Sequence, residues 1–346
     1  MDLPAGVRNT SYAQDMAIFR TKTHWFWLGL LFVLLLTIPL YFSSQWLGVA
    51  NIIMITVIAV TGLNILTGYC GQLSIGHAGF VAVGAYTSTI LMRGLHLPFG
   101  YMQVPFPLAL LLAGIMAGLV GMLFGIPSLR VKGFYLAIST LAAQFIILWV
   151  IGHWENVTGS TMGLAVPSVE LFGTVFRTQS QKFYLILPVV VLAVFFAKNL
   201  ARTRTGRAFV AIRDNDLAAQ VMGVNLFRYK LMAYFIGCFF AGIAGALFAV
   251  WAGFISPESF PATNSVLYVG MLIIGGMGTA VGPIFGVIFI QMLDEFVLKL
   301  PAEFAVGISS MIFGVAIILF LILEPRGLAH RWSLFKSSYR FWPFSY

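Results

Sequence analysis

Gly62–Tyr86 reads GLNILTGYCGQLSIGHAGFVAVGAY, and the fold turns on how this stretch is read. It lies between apolar runs that read as membrane spans, yet it gathers Asn64, Gln72, Ser74 and His77 among five glycines from Gly62 to Gly79. Hydrocarbon offers no hydrogen bonds, so polar groups at membrane depth are found where protein or a water-filled cavity satisfies them. The segment therefore faces a pore or a packed protein interior. Glycine, serine and threonine also serve close helix packing in membranes. Packing surface and translocation path both stay open on these residues. His77 has no second His, Cys or carboxylate at metal-ligand spacing nearby, and no metal is assigned.

Composition sets the class. Of the 346 residues, 60% are hydrophobic and 9% charged, against roughly 25% charged in soluble domains. Mean hydropathy is +0.95. These values point to an all-α polytopic membrane protein with no sizeable soluble domain. The net charge of +9 could suggest nucleic acid, but the basic residues are dispersed among apolar spans, so a nucleic-acid partner is rejected. Cys70 and Cys238 both sit in apolar contexts and support neither a disulfide framework nor a zinc site. The run Trp25–Phe42 is longer than a signal-peptide core and lacks a small-residue cleavage site, which makes it an uncleaved span.

About 20 apolar residues cross ~30 Å of hydrocarbon. Runs near that length occur at 25–42, 47–67, 78–92, 105–126, 133–151, 183–198, 230–254, 263–280, 281–299 and 305–323, giving about ten transmembrane helices. The expected layout is an N-terminal segment 1–24, a membrane domain 25–323 and a tail 324–346. With the N-terminus inside, 1–24, 127–132, 199–229 and 324–346 fall in the cytoplasm. Counting Lys198 and Lys230 at its edge, 16 of the 20 Lys and Arg lie there, leaving Arg93, Arg177, Lys182 and Lys299 outside. An odd number of spans would break this partition, so both termini are placed in the cytoplasm.

The outside loop 152–182 either covers the external mouth, contacts a partner or simply connects two spans. The inside segment 199–229 is different in kind. Its apolar positions Phe209, Ile212, Leu217, Val221 and Met222 alternate irregularly with Arg207, Arg213, Asp214 and Asp216, which suits two short helices broken near Asp214-Asn215. Such an insert exceeds what a connector requires and reads as a dock for a cytoplasmic partner, the alternative being a loop anchored by arginines.

Leu272–Phe289, LIIGGMGTAVGPIFGVIF, superficially suggests nucleotide-binding glycines. However, Gly276-x-Gly278 is followed by Val281 where that motif wants glycine, and no strand precedes it. Gly71–Gly76 has phosphate-loop spacing, but His77-Ala78 replaces Lys-Ser/Thr. The chain is therefore expected to carry no ATP site. Because Gly282-Pro283 follows so closely and Pro disfavours a helical residue before it, 263–280 is expected to bend at Gly275, Gly276 and Gly278; an unbroken helix is the alternative. One Gly-rich segment lies in each half of the chain, as an internal repeat would place them, which hints that the two broken regions meet.

Several ordered motifs carry a family resemblance. They are Gly68-Tyr69-Cys70-Gly71-Gln72-Leu73-Ser74-Ile75-Gly76-His77-Ala78, Gly133-Phe134-Tyr135-Leu136-Ala137, the Thr158–Leu164 loop, Gly206-Arg207-Ala208 through Ala211-Ile212-Arg213-Asp214-Asn215, Ala218-Ala219, Met222-Gly223, and Gly275-Gly276-Met277-Gly278. Together, from about residue 50 to 327, the chain resembles the LivM-type permease of branched-chain amino acid ABC importers. The resemblance implies an ABC importer permease fold in a bacterial plasma (inner) membrane. It also implies a LivH-like second permease, two cytoplasmic ATPases that hold the ATP and Mg, and an external substrate-binding protein. A cytoplasmic helix with an EAA-like motif docks on the ATPase in such importers. Here Ala218, Ala219 and Gly223 keep that spacing, while Leu217 stands where the general motif has Glu and Asp216 lies one residue earlier.

The sites expected from these readings are two. Arg207, Asp214, Asp216, Ala218, Ala219 and Gly223 would couple to the ATPase. Asn64, Gln72, Ser74, His77, Gly276 and Gly278 would line the translocation path. The competing functions are an ion-coupled secondary transporter, which calls for a buried carboxylate where the spans offer only Asp294, Glu295 and Glu155 near their ends, and a membrane enzyme, for which the five histidines are too scattered. The resemblance favours leucine, isoleucine and valine as substrates; urea, amides and aromatic acids are carried by related permeases.

Overall fold

The computed structural model describes residues 22–97, 100–128, 133–171, 173–298 and 302–341. The expectations placed on 1–21, on Arg130 and Lys132, on Lys299 and on 342–346 lie outside the described residues. The chain divides into a small unit ending at Leu47 and a large unit, Gly48–Tyr346. The small unit holds α1 (Lys22–Tyr41), an apolar helix with exposed Phe26, Trp27, Val33, Leu34 and Leu40.

The remaining helices follow in chain order. α2 (Ser44–Leu63) continues as a π-helix over Asn64–Tyr69, and α3 is His77–Arg93. α4 (Phe106–Ser128) and α5 (Phe134–His153) follow, then the single turn α6 (Glu155–Thr158) and α7 (Gln179–Leu200). Two short helices, α8 (Arg204–Asp214) and α9 (Asp216–Val221), precede the long α10 (Leu226–Ala252). α11 (Ala262–Gly275), α12 (Gly282–Leu298), α13 (Ala302–Leu323) and α14 (Leu328–Phe341) complete the chain. The expected all-α class holds, with three small antiparallel pairs in connecting segments: β1 (Leu95–Leu97) with β2 (Gly100–Met102), β4 (Val169–Leu171) with β5 (Thr174–Phe176), and β3 (Leu164–Ala165) with β6 (Phe254–Ile255).

The ten apolar runs resolve unevenly. Among the described residues five helices have full crossing length and apolarity: Ser44–Tyr69, Phe106–Pro127, Phe134–His153, Gln179–Leu200 and Leu226–Ala252. A sixth is a pair, Met311–Leu323 with Leu328–Ser337, bent by 43°. α3, α11 and α12 have 17, 14 and 17 residues, short of the ~20 a helical crossing takes. Within the segment 324–346 lies α14, which packs Trp332 on Phe285 of α12 with ring centroids 5.9 Å apart.

α10 is the hub and packs against α3 and α4. Its composition explains this, because a membrane gives helices no hydrophobic reason to associate and close approach depends on small side chains. A Cβ on Gly237 would stand 2.9 Å from the Gly62 carbonyl oxygen, so these two backbones touch without side chains between them. α4 shows the same rule by size: Ala109, Ala113 and Ala117 are buried, while Leu108, Leu111, Ile115, Leu119 and Leu123 are exposed. The helix is amphipathic in bulk rather than in polarity: its inward positions are mostly small, with Phe106 and Leu110 the larger buried side chains, and its long aliphatic chains lie mostly outward.

Candidate functional site

The stretch 62–86 is a broken crossing. After the π-helix the chain turns at Gly71 (φ +71°), runs without helical structure over 72–76, and re-enters a helix at His77. His77 Nε2 lies 3.0 Å from the Ala59 carbonyl oxygen, so the chain has travelled back beside α2 before α3 begins. This non-helical stretch is the return leg of the crossing, and it precedes a helix of 17 residues.

Non-helical backbone inside a membrane protein must find partners for its peptide groups. Here other helices supply them. Gln72 N donates to Leu66 O at 3.1 Å and Thr67 Oγ1 donates to Gln72 O at 3.0 Å, closing the tip. Ile75 N donates to Thr140 Oγ1 of α5 at 3.0 Å. Ala78 N donates to Ser265 Oγ of α11 at 2.8 Å; that hydroxyl donates to Gln144 Oε1 at 2.7 Å, and Gln144 Nε2 reaches Phe260 O at 3.3 Å. Thr140, Gln144 and Ser265 are all buried. Sequence reading passed over these three, although a glutamine inside the apolar run 133–151 is the signal that finds them.

The second Gly-rich segment is also broken, as expected: α11 ends at Gly275 and α12 starts at Gly282, with Gly276 at φ +106° and Gly278 at φ +76°. The reading of 263–280 as one unbroken helix is thereby excluded. Gly275 abuts Gly282, and Gly286 abuts Met271, so α11 and α12 form an antiparallel hairpin in backbone contact. Thr279 caps α12 by accepting from Gly282 N at 3.0 Å.

The two breaks meet. Asn64 Nδ2 donates to Thr279 O at 2.8 Å, and Asn64 Oδ1 accepts from Gly278 N at 2.8 Å. Arg213, from α8, joins the same point: its Nη1 donates to Gly68 O at 3.0 Å, while Nε and Nη2 hold Asp214 Oδ1 at 3.0 and 2.9 Å. A Cβ on Gly278 would stand 2.8 Å from Arg213 Nη1, and one on Gly71 would stand 3.1 Å from its Cγ. Beside this junction a cavity of about 350 Å³ is lined by Cys70, Gln72, Arg213, Asp214, Asp216 and Lys230, among others.

The expected path residues therefore separate. Gln72 lines the cavity, and Ser74 Oγ and His77 Nδ1 are buried without a hydrogen-bond partner. Asn64 spends both ends of its amide on the junction, so it is a structural tie rather than a free lining group. Gly276 packs against the α13–α14 turn, its Cβ position 2.9 Å from Arg326 O, and Gly278 sits under Arg213.

The segment 199–229 forms the two expected helices. Asn215 breaks them with φ −157° and caps α9 by accepting from Ala218 N at 3.0 Å. Phe209 and Ile212 bury α8, and Phe209 meets Tyr229 of α10 edge-on at 6.4 Å. Gly223 (φ +85°) closes α9 with Gly223 N on Gln220 O and Val224 N on Ala219 O, both at 3.0 Å. Of the residues expected to couple, Ala219 is 4% exposed and packs inward, so it offers no docking surface. Asp216 is engaged with Lys230 at 3.8 Å, Asp214 with Arg213, and Arg207 with Arg202 O at 3.2 Å. Ala218 and Gly223 are exposed. The outward apolar face of α9 and its C-cap consists of Leu217, Val221 and Met222, exposed by 66, 87 and 83%.

Comparison with known proteins decides the family. The family model described as "Branched-chain amino acid transport system / permease component" matches residues 45–321. The chain belongs to this family of transport permeases. It is 33% identical, over 86% of its own length and 73% of the relative's, to the high-affinity branched-chain amino acid transport system permease protein LivM of Escherichia coli (strain K12). A probable LivM of Methanocaldococcus jannaschii is 29% identical over 64% of this chain and 67% of its own length. The autoinducer 2 import system permease protein LsrC of Enterobacter sp. (strain 638) is 28% identical over 86% and 84%, so similarity extends to permeases named for another solute. No solved structure matches the chain. The matched residues contain both breaks, the junction and α8–α9.

Proposed function

We propose that this permease subunit works in an ATP-binding-cassette importer of a bacterial plasma membrane, paired with a LivH-like second permease. Two cytoplasmic ATPases carry the ATP and Mg, and an external binding protein delivers the substrate. The observation that carries this reading is the α8–α9 arm. A six-residue helix showing Leu217, Val221 and Met222 to the outside is costly in water and suits a groove on a partner. The helix before it is tied through Arg213 to both broken segments. Docking would place the arm in the cytoplasm, along with both termini. The α11–α12 hairpin returns to the side it leaves, so this sidedness is independent of how deeply the hairpin inserts.

Branched-chain amino acids are the substrate class this reading favours, on the names of the LivM relatives and on the chemistry of the interior. The buried polar side chains among the described residues are hydroxyls, amides and His77. Neutral groups of this kind pass a zwitterion without trapping it, whereas ion coupling calls for a buried carboxylate. Permeases for urea or amides share such an interior, and selection would rest largely with the binding protein.

Leu217→Asp with Val221→Asp should cut co-purification of the ATPase at least tenfold while leaving membrane insertion unchanged. Uptake that survives ATP depletion and follows an ion gradient would sink this reading in favour of secondary transport. The ligand retained by the partner binding protein on purification identifies the solute.

A further inference from the structure

A second cavity, of about 570 Å³, lies where α3 ends and α4 begins. Val104 N donates to Leu91 O at 3.1 Å, which ties the chain entering α4 to the last turn of α3. Met92, Val104, Phe106 and Val169 line this cavity and are all buried, so its floor is apolar and packed. Glu170 and Arg177 line the same space and are exposed. The β4–β5 pairing explains why they share it. Glu170 stands opposite Val175, and Arg177, two residues on from Val175, is its diagonal neighbour on the same face of the ribbon. Diagonal neighbours lie about 7–8 Å apart, near enough for two long side chains to meet. Among the described residues, however, no ion pair joins these two.

The side on which the cavity opens follows from α10. That helix starts just after the α8–α9 arm and runs for 27 residues, about 40 Å, to β6. There β6 pairs with β3, and Lys182 Nζ donates to Trp251 O at 3.1 Å, so the loop that carries β3, β4 and β5 is fastened to the end of α10 away from the arm. With the arm in the cytoplasm, this is the outer face.

Opposite charges that share a rim without closing on each other, above an apolar floor, match the chemistry of an amino acid. Its carboxylate suits the guanidinium fork of Arg177, its ammonium suits the Glu170 carboxylate, and its side chain leaves the same carbon toward the floor. The volume is in the range of small-molecule sites. We propose that this cavity is an outer receiving site for a zwitterionic amino acid with an apolar side chain, held by Arg177 and Glu170 over Met92, Val104 and Phe106. The solute class rests on the importer reading, while the site itself rests on the two charges and the floor beneath them. Ion pairs at an exposed rim are weak, so the site gathers solute at the outer face and releases it readily.

The test places Ser168→Cys, on the cavity wall, in a Cys70→Ala, Cys238→Ala background. Its reaction with methyl methanethiosulfonate, a neutral reagent, is followed in the membrane-embedded transporter without binding protein or ATP. Leucine at high concentration should slow labelling at least threefold. Isocaproate, which lacks the ammonium, and isoamylamine, which lacks the carboxylate, should each protect far less. Arg177→Gln should erase the advantage of leucine over isoamylamine, and Glu170→Gln its advantage over isocaproate. Thr174→Cys, exposed at the closed end of the same ribbon, is the control and should label at one rate throughout. No protection by leucine, equal protection by a single-charge analogue in the parent, or equal protection at Thr174→Cys each overturns the site. So does protection by urea in place of leucine, which would leave the importer standing with another solute. Full protection in both charge variants, together with weaker capture of the binding protein, also overturns it and gives Glu170 and Arg177 to docking. Uptake driven by an ion gradient would instead sink the importer and leave the protection pattern in force.

Discussion

At the first break, Gly68–Gly76, hydroxyls of Thr140 and Ser265 reach in from α5 and α11, whereas at the second, Gly275–Gly282, glycines lay α11 and α12 backbone on backbone while Asn64 and Thr279 hold the turn between them. The first keeps the chain non-helical over 72–76 and leaves Ser74 Oγ and His77 Nδ1 unpaired beside it. The second folds two short helices into a hairpin closed by its own Thr279. A peptide group held by a single hydroxyl can exchange that partner for water, while two helices packed through Gly275–Gly282 and Gly286–Met271 have no side chain between them to yield. The difference casts the first break as the adaptable element and the second as the rigid one against which it works.

The largest effect belongs to the residue common to both. Asn64→Ala leaves Gly278 N and Thr279 O without their side-chain partner, at about 1–3 kcal/mol for each buried group, or about 2–6 kcal/mol together. Folded yield and detergent melting should fall below those of every other variant proposed for the two breaks. Wild-type melting would mean that the breaks touch without depending on each other.

Gly278→Ala comes next. An alanine at φ +76° costs about 1–2 kcal/mol, and its Cβ would stand 2.8 Å from Arg213 Nη1, the end of a long side chain, and 3.1 Å from Gly68 O, adding a smaller steric cost as the guanidinium shifts aside. Combining it with Arg213→Ala should recover the steric part and not the conformational part. Additive losses in the double variant would show that the guanidinium does not occupy this space.

Thr140→Val probes the first break alone. It keeps the shape of the side chain and removes the acceptor of Ile75 N, at about 1–3 kcal/mol if no water replaces it. A segment adaptable enough to admit water should lose less than this in melting, while transport changes more than stability does. Full loss of stability would make the first break as rigid as the second and erase the contrast between them.

What could be read from sequence, and what could not, follows the same division. The second break was legible because Gly276, Gly278 and Gly282-Pro283 carry their conformational meaning locally, and the α8–α9 break was legible because Asp214-Asn215 does. The partners of the non-helical passage at 72–76 were not. Leu73 and Ile75 keep the segment apolar enough to pass for part of a loop before a span, and the partners that permit it, Thr140 and Ser265, lie 65 and 187 positions from the groups they bind. α3 was read at nearly its true bounds, 78–92 against His77–Arg93. Arg213 was visible as part of the Ala211–Asn215 motif, but its tie to Gly68 depends on a fold that brings residues 145 apart together. Ala219 was misassigned to docking because motif spacing does not say which side of a two-turn helix faces the protein.

The smallest effect calibrates the rest. Gly223 shares positive φ with Gly278, at +85° against +76°, but a Cβ built on it meets nothing within 4 Å. Gly223→Ala therefore carries the conformational cost of about 1–2 kcal/mol with no steric addition. Subtracting its melting shift from that of Gly278→Ala gives the contribution of crowding under Arg213 alone. A bulkier replacement, Gly223→Leu, meets the same open space and should behave like the alanine in the isolated permease, because the penalty lies in the backbone. Once the ATPase is present the two should part if α9 docks there, with leucine weakening co-purification more than alanine does. Equal behaviour with and without the ATPase would show that this end of α9 stays in solvent, and would move the docking surface toward Leu217 at its other end.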